Sequence, residues 1–227
     1  MEISNCWKED LNKPGLYVKP YAINYTQNNK LICSENLKIH DDVSILIYNR
    51  ERKVFILVRQ FRVAVFVHSA DGGNISKRND DLESYSTGSG MTWELCAGII
   101  DRDEAPIKIA IEEVWEETGY KITENDIQFI NVVVNETGNT GSKNYTYYAE
   151  VTDAMKEGEG GGLAEEGEII EVVEIHKHDA LNFALDETKP KPADCSMAIM
   201  WWLSHQHYSL SALATLQGGV PCTSRED

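Results

Sequence analysis

The chain has no CxxC pair, no long apolar run and no excess of basic residues, and each lack removes a class of protein. Its five cysteines, Cys6, Cys33, Cys96, Cys195 and Cys222, are odd in number and scattered, which indicates neither a disulfide framework nor a zinc site. Reduced thiols in an intracellular protein are the plain reading. No apolar stretch approaches the ~18 residues a membrane span requires, and the start, MEISNCWKEDLNKPG, lacks a cationic-then-apolar signal pattern. A cytoplasmic protein with no membrane partner is expected. Lysine and arginine total 21 against 37 aspartates and glutamates, a formal net charge of −16. That sign argues against a general nucleic-acid surface. Internal repeats are absent, and the apolar and charged fractions, 42% and 26%, are those of an ordinary globular chain. At 227 residues it suits one sizeable domain, or a domain plus an arm.

Residues 16–23 and 30–39 read as extended pieces joined by a turn at Asn28-Asn29. Two β-branched runs, 43–48 (VSILIY) and 54–60 (VFILVRQ), flank a polar N-R-E-R-K and give a hairpin signal. Residues 69–91 are too polar and too long for a routine loop. A strand is expected over 92–100, a helix starting near Pro106, and strands over 127–136, 144–151 and 169–175. Residues 178–185 suggest a short helix and 193–206 a buried one, with the last dozen or more residues a loose tail.

The helix after Pro106 carries Glu112, Glu113, Glu116 and Glu117 within six residues. Glu113, Glu116 and Glu117 fall within roughly 100° of one another, one turn apart. Ile107, Ala110, Ile111, Val114 and Thr118 gather on another side, giving one face for a core and one for charge. Carboxylates crowded in this way repel unless a cation neutralises them, and a hard divalent ion with oxygen ligands is the natural partner.

The stretch from Gly98 to Tyr120 resembles the signature of the Nudix hydrolases, G-x5-E-x7-R-E-U-x-E-E-x-G-U, with U a bulky aliphatic residue. Gly98, Glu104, Glu113, Val114, Glu116, Glu117 and Gly119 fall at the matching offsets. Glu112 stands at the usual arginine position and Tyr120 at the last aliphatic one. The resemblance extends through LVRQFRVAVF, MTWELCAGIID, TGSKNYTYYAEVTDA and GGGLAEEGEIIEVVEI to the UDP-sugar and ADP-ribose diphosphatase branch.

It implies an α/β fold, the Nudix α/β/α sandwich with a mixed sheet, here with an N-terminal β extension. The implied division is 1–40 as a dimerisation arm, 41–207 as the hydrolase domain and 208–227 as a tail. It also implies Mg²⁺, with Mn²⁺ as substitute, held by Glu113, Glu116, Glu117 and the carbonyl of Ala97. Glu113 and Glu116 are thereby catalytic candidates, and Glu166 or Glu168 would act as base or orient the water. Arg59 or Arg62 would bind phosphate through a forked donor set, and Glu94 would touch ligand or metal. The partner implied is a nucleoside diphosphate sugar, UDP-glucose giving UMP and glucose 1-phosphate, on a homodimeric enzyme. ADP-ribose hydrolysis is the alternative, and a nucleotide-sugar sensor that lost catalysis is a third. His176 and His178 lack a third ligand nearby and read as surface residues, and Trp201 and Trp202 as packing.

Overall fold

A computed structural model describes residues 15, 17–71, 90–163, 165 and 167–217. Strands β1 (Lys19–Gln27) and β2 (Lys30–Lys38) form a separate two-stranded antiparallel sheet. Asn28 and Asn29, at φ 51° and 61°, close it with two consecutive left-handed residues. Asparagine tolerates that conformation, and such a turn matches the twist of a hairpin. The hairpin is tied to the rest of the chain by the Leu37 N–H, which donates to the Asn139 carbonyl at 2.8 Å.

Seven strands make the main sheet. β3 (Asp42–Asn49) lies parallel to β8 (Lys143–Val151), and β7 (Ile127–Val134) pairs antiparallel with β8. The other edge of β3 is shared by two partners, β6 (Cys96–Ile99) at its start and β4 (Val54–Phe61) at its end. β4 in turn pairs antiparallel with β5 (Met91–Glu94) and β9 (Glu171–His176). The single strand expected over 92–100 is therefore two. Buried Leu95 is the joint at which the chain leaves β4 and crosses to β3.

Alternation along β3 sorts the core into two layers. Val43, Ile45 and Ile47 meet Ile109, Ala110 and Val114 of α2 (Pro106–Thr118). Leu46 and Tyr48 meet α3 (Ala180–Leu185) and α4 (Ala193–Gln217) through Phe183, Ala198 and Trp202. A strand covered on both faces needs a near-continuous apolar run, and VSILIY is apolar but for Ser44, whose buried hydroxyl donates to Asn144. Helices on both faces of a mixed sheet give the α/β/α sandwich.

The helix expected over 193–206 runs on to Gln217, so it takes in much of what reads in sequence as a tail. A further helix, α1 (Val63–Asp71), opens the polar excursion, and residues 72–89 of that excursion lie outside the described residues. The base of the excursion is closed, because the Arg62 N–H donates to the Gly90 carbonyl at 2.8 Å. Among the described residues no helix is long and apolar enough to cross a membrane.

Candidate active site

Helix α2 begins with Pro106, whose fixed φ suits a first turn, and ends at Gly119 with φ 69°. A Cβ at Gly119 would overlap the Gly158 carbonyl, so this helix end needs glycine for its backbone and for space. The last carbonyls of α2 are then taken by the glycine-rich stretch that follows β8. Gly161 N donates to Glu117 O at 2.8 Å and Gly162 N to Glu116 O at 3.1 Å. That stretch has the composition of a closing loop, yet its first half is fastened to α2, because a helix end leaves unpaired carbonyls that these N–H groups satisfy.

Fastening α2 this way fixes the acidic face. Glu117 is buried, and its Oε2 accepts the Ala97 N–H at 3.1 Å across to β6. Glu113 lies against Gly98, where any Cβ would overlap its carboxylate, so glycine at 98 is what lets helix and strand approach. Burial, then Glu116, pushes the Glu113 carboxyl up to about 7. Burial, ahead of the neighbouring Glu113, pushes Glu117 up to about 8 despite its hydrogen bonds from Cys96 and Ala97. Glu168 adds to the repulsion on both. Glu168 itself is held by the Leu163 N–H, which donates to its Oε2 at 3.0 Å. Glu116 is half-buried on the same helix. Glu166 lies outside the described residues.

These groups fit a hard divalent cation. Two carboxylates with raised affinity for protons share one site, and repulsion that a proton relieves is relieved also by a metal ion. Among the described residues no three Asp, Glu, His or Cys side chains already converge as a ligand cluster. A backbone oxygen such as that of Ala97 would therefore complete the donor set. A second assembly lies beside it. Arg62 forks onto Glu94, its Nε to Oε1 at 2.9 Å and its Nη2 to Oε2 at 2.7 Å. Gln60 Nε2 donates to the same carboxylate at 3.2 Å, and Thr92 Oγ1 at 2.5 Å. With these donors on it, Glu94 aims Arg62. Arg59, one residue before Gln60 on β4, points to the other face. It stands over the Trp93 ring at 5.5 Å and pairs with Glu171 at 3.3 Å, away from α2.

Three features of the site escape a reading by spacing. Arg102 pairs with both Glu104, at 3.0 Å, and Glu112, so the acid at the signature's arginine position is answered by an arginine ten residues earlier. Only the return of the loop after β6 brings them together. Tyr120 is buried, with its hydroxyl accepting from Arg52 Nη2 at 2.6 Å, so a phenol replaces an aliphatic side chain where a polar partner waits. Asp42, Asn135, Asn144 and Asp194 line a cavity of about 710 Å³ that also reaches Arg62, Glu94, Ala97 and Gly98. Burial holds the Asp42 carboxyl up at about 6 and raises that of Asp194. The Asp41-Asp42 doublet before an apolar strand was the available signal for the first of these acids. His176 and His178 stack on each other with centroids 5.0 Å apart, and no third ligand joins them among the described residues.

Against known proteins, the model of the NUDIX domain matches residues 38–196. The chain is 38% identical over 205 residues to the uridine diphosphate glucose pyrophosphatase NUDT14 of Mus musculus, covering 86% of this chain and 92% of that protein. The Bos taurus protein of the same name is 38% identical over 197 residues, 83% of this chain and 89% of its own length. A GDP-mannose pyrophosphatase of Cronobacter sakazakii is 36% identical over 138 residues, 61% of each chain. With the sandwich, the acidic helix and the Gly98 approach in place, the chain belongs to the NUDIX domain family.

Proposed function

We propose that this protein is a divalent-metal-dependent diphosphatase of nucleoside diphosphate sugars that cleaves UDP-glucose to UMP and glucose 1-phosphate. The observation that carries the reading is the pair Glu113, half-buried, and Glu117, buried, pressed against Gly98 and Ala97, with no lysine, arginine or histidine in a salt bridge to either among the described residues. Likeness over most of the chain to the mouse and cattle proteins supports the choice of UDP-glucose.

Mg²⁺, or Mn²⁺ in its place, would be held by Glu113, Glu116, Glu117 and the Ala97 carbonyl. When bound, the ion supplies neutralisation of the diphosphate and Lewis acidity at phosphorus. Arg62, oriented by Glu94, grips a phosphate oxygen through its free guanidinium edge. Water attacks one phosphorus and its proton passes to Glu168 or Glu166. The anhydride bond breaks with the leaving phosphate taking the electron pair. Two copies of the chain form the working unit, with the exposed side chains of Tyr21, Ile23 and Tyr25, on one face of the N-terminal hairpin, covered by the partner.

Kinetics with UDP-glucose, ADP-ribose and GDP-mannose side by side, with products identified by chromatography, test the reading. UDP-glucose is expected to show the highest kcat/KM. A higher value for ADP-ribose would move the substrate while leaving the metal site in place. Tight nucleotide-sugar binding with no turnover in Mg²⁺ would instead make the protein a sensor.

A further inference from the structure

The cavity beside Arg62 contains polar side chains that the diphosphate chemistry leaves unused. At its far end Asp42 and Asn144 sit side by side on β3 and β8, in register across a parallel pair. Asn144 is buried, and its amide oxygen accepts the hydroxyls of Ser44 at 3.0 Å and Thr146 at 2.8 Å. That leaves its amide nitrogen facing Asp42 Oδ1, to which it donates. Asn135 Nδ2 donates to the other oxygen, Oδ2, at 3.1 Å. Asp42 is thus held by two amides, and these take two of the roughly four acceptor positions a carboxylate has. Among the described residues no lysine, arginine or histidine pairs with it, or with Asp194 in the same wall.

Half-buried acids with no counter-cation are costly, and the acceptor positions left over on Asp42 call for further donors. A phosphate cannot be one, because it brings the same charge. A hydroxyl-bearing ring can, since each O–H donates to a carboxylate and accepts from an amide N–H. The cavity, about 710 Å³, has the size of a small-molecule pocket and runs from the phosphate-gripping Arg62 to this acid–amide pair. We infer that Asp42 and Asn144 are the residues that recognise the sugar hydroxyls of the substrate, fixing the glycosyl unit at the end of the cavity away from Arg62. This rests on the nucleotide-sugar reading above and adds to it the part of the protein that selects the sugar.

The test is steady-state kinetics of the full-length wild-type, Asp42→Asn and Asn144→Ala proteins in Mg²⁺. The probes are UDP-glucose, its 2-, 3-, 4- and 6-deoxyglucosyl analogues, and a uridine diphosphate alkyl ester that carries no glucosyl unit. In the wild type, removal of at least one hydroxyl is expected to raise KM about 10-fold, the scale of a lost charge-assisted hydrogen bond. In Asp42→Asn that penalty is expected to vanish, and the preference for UDP-glucose over the alkyl ester to fall about 10-fold. Thermal melting serves as the control: the new amide keeps one acceptor oxygen and turns its own N–H groups on one of the two donors, so Asp42→Asn is expected to melt somewhat lower than wild type while staying folded under assay conditions. Equal losses on UDP-glucose and the alkyl ester, or deoxy penalties unchanged in both variants, would overturn the assignment. If the wild type fails to cleave UDP-glucose at all, the substrate reading falls first, before any variant is compared.

Discussion

Glu112 and Glu113 are chain neighbours with opposite surroundings. Glu113 is packed against Gly98 and raised by burial, whereas Glu112 stands in solvent with Arg102. Successive helix positions point about 100° apart, so the two cannot face one cation equally. Glu113→Gln is expected to lower kcat/KM by at least ~10²-fold, the loss of a few kcal/mol of transition-state stabilisation. Glu112→Gln breaks only an exposed, solvent-screened pair with Arg102, and most activity should remain. Parallel kcat/KM measurements on the two variants decide this. A dead Glu112→Gln beside a near-wild-type Glu113→Gln would place the acidic face on the wrong side of the helix. Gly98→Ala offers a check that leaves the carboxylates in the sequence. Its methyl would displace the Glu113 side chain, so turnover should fall while the melting temperature changes much less.

At the scale of elements, the site depends on how α2 ends. Gly119 has a left-handed φ of 69° and no room for a Cβ, so Gly119→Ala combines backbone strain with a clash against Gly158. Strain of this kind costs about 1–3 kcal/mol, or a drop in Tm of roughly 2–4 °C for each kcal/mol in a chain of this size. A melting curve indistinguishable from wild type would show that the cap does not hold the helix. Much of this architecture is legible in sequence because it is local. Asn28-Asn29 sets its own turn, VSILIY marks a strand buried on both faces, and the glutamate spacing marks a helix with a charged face. What is illegible depends on partners far along the chain. Nothing within residues 92–100 says that the strand breaks at Leu95, since the break comes from pairing first with β4 and then with β3. Arg59 and Arg62 look alike in sequence, and only the pleat of β4 and the position of Glu94 send them to different faces. The glycine-rich stretch reads as free to move because its anchors, the carbonyls of Glu116 and Glu117, lie some 45 residues earlier.

For the whole molecule, the raised carboxyls predict how stability responds to pH and metal. Glu113 and Glu117 rise from 4.5 to about 7 and about 8, and Asp42 from 3.8 to about 6. Over that interval the folded protein holds more protons than the unfolded chain, so raising the pH costs stability. Metal-free protein should therefore melt at progressively lower temperature from about pH 5 to pH 8. Mg²⁺ should restore more at pH 8 than at pH 6, where protons still compete for the same carboxylates. A Tm that rises across this range in EDTA would contradict the assignment of burial to these groups. Sedimentation at micromolar concentration tests the dimer, and a monomer there would leave the hairpin face without the partner proposed for it. The most direct test is Mn²⁺ titration of metal-free protein, with bound Mn²⁺ followed by electron paramagnetic resonance and UDP-glucose hydrolysis followed in the same samples. Binding and turnover are predicted to rise together in the wild type and to be lost together in Glu113→Gln. Undiminished Mn²⁺ binding in Glu113→Gln, or full turnover by wild type in EDTA, would contradict it.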